Sequence, residues 1–173
     1  LFRSTKRLYY EDVYIKEFSA KVVECRKEEK GFQVILDQSA FYPEGGGQPS
    51  DLGILGDTAV TDVQEKNGEL IHYVKSELEP GTEVIGKIDW QRRFDLMQQH
   101  SGEHIVSGLV HEAYGYNNVG FHMSSDVITI DFSGVLDEKQ LAEIEEKTNR
   151  NIWEDNPVEI FYPDKEELAA LPY

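Results

Sequence analysis

Cysteine is almost missing from this chain. The single residue, Cys25, excludes an internal disulfide framework and suits a reducing, cytoplasmic setting. It lies in an alternating stretch with Ala20, Val22 and Val23 and has no histidine or other base beside it. It therefore reads as a buried apolar thiol rather than a nucleophile. No apolar run approaches the ~18–20 residues that a membrane-spanning helix needs. The basic start of the chain (Arg3, Lys6, Arg7) is followed by no apolar signal core. Methionine does not open the chain, so residues 1–4 read as an addition or a trimmed start. Positive charge is scarce too: 17 Lys and Arg stand against 33 Asp and Glu, a net charge of −16. Residues 137–167 alone carry 11 acids and 4 bases, a net of −7. Proteins that grip nucleic acid usually present a basic face, because contacts of Lys and Arg with phosphate carry most of the affinity. Composition alone therefore argues against nucleic acid, unless the cations cluster in space or the gripping part lies beyond Tyr173.

What is present is globular. The 173 residues are 39% hydrophobic and 11% aromatic, enough for one large domain or two small ones with a core of their own. From about residue 14 to 89 the pattern is β. Alternation over 19–25, a polar turn at 27–31 and the run 32–36 predict a hairpin. Residues 59–64 and 70–74 flank Asn67-Gly68, a dipeptide that accepts the positive φ angles of a tight turn. A further strand is expected over 83–88. Short strands at this spacing predict a small closed or half-open barrel.

From Trp90 the period lengthens to that of a helix, with Phe94, Met97, Ile105, Leu109 and Ala113 on the expected inner face and Gly115 as the stop. A strand follows over 127–132. Asp137 and Gln140 form a capping-box pattern for a helix that should turn Leu141, Ile144, Thr148 and Ile152 inward. A strand over 158–162 and the start of a last helix at Pro163-Asp164 complete the reading. The expected class is α+β, with a β-barrel unit over 1–88 and an α/β unit over 89–173.

Two segments carry chemistry. His100 and His104 stand four apart on the predicted helix, so both can face one ion. Zinc normally takes four ligands, which makes the pair half a site; the plainer alternative is two polar residues at a domain interface. His111 lies ~10 Å further along the helix and cannot join the same ion. His72 reads as a strand-surface residue, and His122 as a structural residue that can approach the pair in space. The second segment is Phe41-Tyr42-Pro43-Glu44-Gly45-Gly46-Gly47-Gln48-Pro49. Three glycines in a row let the backbone bend sharply and let another group come close. Lys-Ser or Lys-Thr does not follow them, so this is no P-loop, and no nucleotide-binding signature for ATP-dependent charging is present. By itself the loop is a turn at a barrel rim.

Taken together, in this order and separation, the two segments resemble the editing region of alanyl-tRNA synthetase and, more closely, its free-standing AlaX-type relatives. Further matches are Asp89-Trp90-Gln91-Arg92-Arg93 ahead of the histidines, Gly120-Phe121-His122, and Thr129-Ile130-Asp131. The resemblance runs over nearly the whole chain. It implies that residues 89–173 begin an editing domain of the second-additional-domain type found in threonyl- and alanyl-tRNA synthetases, C-terminally incomplete. It implies zinc as cofactor, with His100 and His104 as two of four ligands and a downstream Cys and His, past Tyr173, as the others. It implies that Gly45, Gly46, Gly47 and His122 help to place the aminoacylated tRNA end. Ser39 stands where the family commonly has a Thr whose hydroxyl helps recognise a seryl side chain. Ser39, Glu44 and Gln48 are accordingly the expected catalytic polar groups.

The expected activity is hydrolysis, in trans, of the ester joining serine or glycine to alanine tRNA. Zinc can serve there by activating water, polarising the carbonyl or holding the substrate amino group. Two other readings stand beside it: a tRNA- or protein-binding module without catalysis, and the editing part of a full synthetase.

Overall fold

A computed structural model describes residues 5–124 and 127–171; the unusual start at residues 1–4 lies outside them. The strand β2 (Glu17–Glu28) shows how the barrel is written into the chain. Its Phe18, Ala20 and Val22 are buried while Glu17, Ser19 and Lys21 face out, the period of two that a half-buried strand requires. It turns back into β3 (Gly31–Leu36) in antiparallel register, Val22 opposite Leu36 and Glu28 opposite Gly31. The second hairpin joins β6 (Thr58–Lys66) to β7 (Glu69–Val74), and Asn67 and Gly68 take φ of 53° and 82° as the Asn-Gly signal predicts. With β5 (Gly53–Leu55) and β8 (Glu83–Ile88) these strands pair in the closed order β2-β3-β7-β6-β5-β8. Every neighbour is antiparallel.

Val22, Val34, Leu36, Leu55, Val63, Leu70 and Val74 fill the interior together with Phe41. Each such side chain contributes roughly 1.5–3 kcal/mol by leaving water. Cys25 is only half-buried against this core. His72 is corrected by the structure: it has no exposed surface, because β7 turns it inward on the same side as Leu70 and Val74. The sequence pattern did not announce β5. Nor did it announce the two-residue parallel pair of β1 (Lys6–Arg7) with β4 (Gln38–Ser39), which laces the N-terminal segment to the barrel.

The helix α1 (Trp90–Tyr114) starts where the Asp89 carboxylate accepts the Arg92 amide, and stops at Gly115 in the left-handed region with φ 70°. Its buried stripe is Arg93, Leu96, Glu103 and Val110 rather than the expected Phe94, Met97, Ile105, Leu109 and Ala113. Two charged residues occupy the inner face, and an apolar periodicity cannot flag them. The hairpin of β9 (Asn118–Met123) and β10 (Ile128–Phe132) follows.

Next comes α2 (Glu138–Trp153), which packs on α1 and begins with the complete capping box of Asp137 and Gln140. Ile144 and Thr148 point inward as expected, whereas Leu141 and Ile152 remain exposed. The strand expected over 158–162 does not form: Pro157 and Pro163 bracket it and no partner strand pairs with it among the described residues. A short α3 (Lys165–Ala170) closes the described chain. The architecture is α+β, and none of the described helices is long and apolar enough to cross a membrane.

Candidate functional site

The glycine-rich segment folds as a tight hairpin. Gly45 and Gln48 exchange both backbone hydrogen bonds, at 3.1 and 3.0 Å, and the central Gly46 and Gly47 take φ of 59° and 80°. Positive φ at both central positions is what a primed two-residue turn demands. The missing Cβ at Gly47 matters a second time. An added methyl would stand 2.7 Å from both the ring and the carbonyl oxygen of Phe121, so β9 could not lie against the loop. With glycine there, the Gly47 carbonyl accepts the Met123 amide at 3.1 Å, and an added Cβ on Gly46 would stand 3.9 Å from Cε1 of His100.

Anchorage comes from one buried ion pair. The Arg93 guanidinium bonds Asp51 through Nε at 2.8 and 2.9 Å and through Nη2, and its remaining donors reach the carbonyls of Val13 and Ala40. Asp51 in turn accepts the Tyr42 amide at 2.7 Å. This clamp holds the first turns of α1 against the barrel and so fixes where the histidines fall. It was invisible in the sequence except as the Arg93 match.

One turn beyond Met97, His100 donates from Nδ1 to the Gln48 Oε1 at 2.7 Å. That bond places the ring proton on Nδ1 and leaves the Nε2 lone pair for a ligand. Burial first, and the neighbouring His104 second, hold the His100 pKa below its ordinary value, so the ring is neutral at pH 7. The His104 ring stacks on it, centroids 5.0 Å apart and planes 12° from parallel. Glu103, missed in the sequence reading, sits between them on the buried stripe. Its Oε1 accepts from Ser107 and from Asn118, and its Oε2 lies 3.5 Å from His104 Nδ1. Ligand atoms of His100, Glu103 and His104 all lie within 4.8 Å of one another. Two imidazoles and one carboxylate form a donor set that a divalent cation accepts.

The other expected site residues divide. Gln48 is buried and meets His100. Glu44 stays exposed, and its carboxylate is tied to Gln64 at 2.6 Å. His122 does not approach the pair: Phe121 packs at 5.2 Å from His100, and alternation along β9 sends the next side chain the other way, exposed and opposite Thr129. Ser39 is corrected most firmly. It has no exposed surface, its hydroxyl donates to His72 Nε2 at 2.8 Å, and the same oxygen accepts the Phe41 amide at 3.1 Å. The His72 Nδ1–H is spent on the Val34 carbonyl at 3.1 Å, and full burial pushes the His72 pKa down to about 4. A hydroxyl whose proton is held this way has none left for a substrate.

Comparison with known proteins gives a consistent family. The model of the tRNA synthetases class II (A) family matches residues 3–92. The alanyl-tRNA editing protein AlaX-L of Pyrococcus horikoshii is 38% identical over 173 residues, covering 95% of this chain and 43% of that protein. The alanyl-tRNA editing protein Aarsd1 of Bos taurus is 36% identical over 164 residues, covering 86% of this chain and 37% of its own length. The alanine–tRNA ligase of Pyrobaculum neutrophilum is 37% identical over 163 residues, 89% of this chain but 18% of the ligase. The chain thus spans less than half the length of the curated relatives it matches.

Proposed function

Because the chain belongs to the tRNA synthetases class II (A) family, we propose that it serves as an aminoacyl-tRNA deacylase. It removes serine or glycine, in trans, from mischarged alanine tRNA. The observation that carries this reading is the seam where Gln48 of the glycine-rich hairpin meets His100 of α1. Residues far apart in the chain are brought there into one polar cleft, in a chain whose relatives are named alanyl-tRNA editing proteins.

Hydrolysis of an activated ester asks mainly for a positioned ester and for charge where the oxyanion develops. Gln48 supplies orientation by fixing the His100 ring. The amides of Gly46 and Gly47 make no hydrogen bond among the described residues and are free to face a developing oxyanion. His100 and His104, with the Glu103 carboxylate beside them, are the groups that would hold zinc. When bound, zinc supplies Lewis-acid charge close to that ester. The Glu103 carboxylate lies 3.5 Å from His104 Nδ1, on the side where carboxylates behind metal-binding histidines stand.

In this reading the boundary falls between residues 88 and 89, and residues 89–173 begin an editing-type α/β domain. The single cysteine fits a cytoplasmic protein. The net charge of −16 favours a second reading, a protein-binding module without catalysis. Hydrolysis of seryl-tRNA by the intact protein separates the two. His104→Ala should abolish turnover with little change in melting, since that side chain is 75% exposed. Turnover equal to wild type would remove the histidine pair from the chemistry.

A further inference from the structure

Gln48 also lines a cavity of about 550 Å³, within the range of small-ligand sites. Tyrosines dominate its walls: Tyr9, Tyr10 and Tyr14 from the N-terminal segment and Tyr42 from the glycine-rich loop. Tyr9 is buried and forms the floor. Tyr10 meets it edge-on at 4.8 Å and 70°, and Tyr42 at 5.0 Å and 68°. Tyr10 nevertheless keeps 62% of its surface exposed, as does most of Tyr162 at the same cavity.

The charges of the lining are already committed. Its one cation, Arg93, spends its guanidinium on Asp51 and two carbonyls. Glu11 pairs with Lys6 at 2.9 Å, and Asp12 accepts the Tyr14 amide at 2.8 Å. Among the described lining residues no cation remains for a phosphate, and the free carboxylate oxygens would repel one. The occupant that fits is uncharged, flat and aromatic, with polar edges that phenol hydroxyls and an amide can meet.

On these grounds we propose that the tyrosine-lined cavity beside Gln48 receives the unpaired terminal nucleobase of the aminoacylated strand. The proposal rests on the deacylase reading for the identity of that strand, since the ester to be cleaved sits on the terminal ribose. Gln48 joins the two halves: its side-chain carbonyl holds His100, and the same residue lines the cavity. Single-stranded ends are where bases splay out to stack on aromatic side chains. Stacking recognises the base face without any phosphate contact, which reconciles an acidic protein with a nucleic-acid substrate.

Titration of the intact protein with adenosine, and with ribose as control, tests this. Saturable binding of adenosine but not ribose is expected. Tyr10→Leu should weaken it about fivefold or more, the loss expected for one base–ring stack, and Tyr10→Phe should stay within about twofold of wild type. Tyr10 is mostly exposed, so melting curves of both variants should match wild type. Adenosine affinity unchanged in Tyr10→Leu, or ribose binding as well as adenosine, would overturn the assignment. Seryl-tRNA hydrolysis measured on the same preparations keeps the two proposals apart. If hydrolysis is absent while adenosine binds in a Tyr10-dependent way, the cavity stands as a nucleobase site, and the deacylase reading fails together with the identity of the strand.

Discussion

Replacing Ser39 by alanine removes one oxygen from the interior of the barrel, and the structure fixes what that oxygen was doing. It donates to His72 Nε2 and accepts from the Phe41 amide, and none of the three groups reaches solvent. Alanine leaves a buried imidazole lone pair and a buried N–H without partners. Each orphaned group costs ~1–3 kcal/mol, so the variant should lose about 2–6 kcal/mol of unfolding free energy. For a single domain of ordinary stability that is a large share of the total. Urea denaturation at pH 7 measures it directly. His72→Leu added to Ser39→Ala should recover part of the loss, because replacing both partners with apolar groups removes the orphaned imidazole. On the same proteins, the ratio of seryl- to glycyl-tRNA kcat/KM should stay at the wild-type value even as the fold weakens. A shifted ratio with unchanged stability would refute the reasoning and return Ser39 to the substrate.

His72 gives a pH signature. Its pKa falls from the ordinary 6.5 to about 4 in the folded state, so the unfolded chain takes up the proton first as pH drops. Its contribution is complete above pH 6.5, declines as pH falls towards about 4 and is level below, a total of ~3 kcal/mol. The difference between wild type and Ser39→Ala/His72→Leu, followed by urea midpoints across that window, isolates it; parallel curves would show that His72 is not buried neutral. Asp51→Asn strands the buried Arg93 charge and should destabilise by ~3–5 kcal/mol. It should also loosen α1 from the barrel. A melting temperature within a degree of wild type would show that the clamp does not hold the two together.

Much of the fold was legible because its determinants are local. Alternation marked β2, β3, β6, β7 and β8, Asn67-Gly68 set a turn through two positive φ angles, and Asp137 with Gln140 announced α2 within four residues. The two candidate segments were likewise visible, since four-residue spacing alone puts His100 and His104 on one face. What the sequence could not decide was which side of each element looks inward and which distant groups meet. Polar residues on a buried stripe break the apolar period, so Arg93, Glu103 and His72 were misplaced or missed. Ser39 and His72 are 33 residues apart and His100 and Gln48 are 52 apart. No local rule reaches that far. Their meeting follows from closure of the six-strand ring and from the Arg93–Asp51 pair, which set the angle at which α1 leaves the barrel. Packing and desolvation, properties of the assembled chain, turned Ser39 inward and Gln48 towards the cleft.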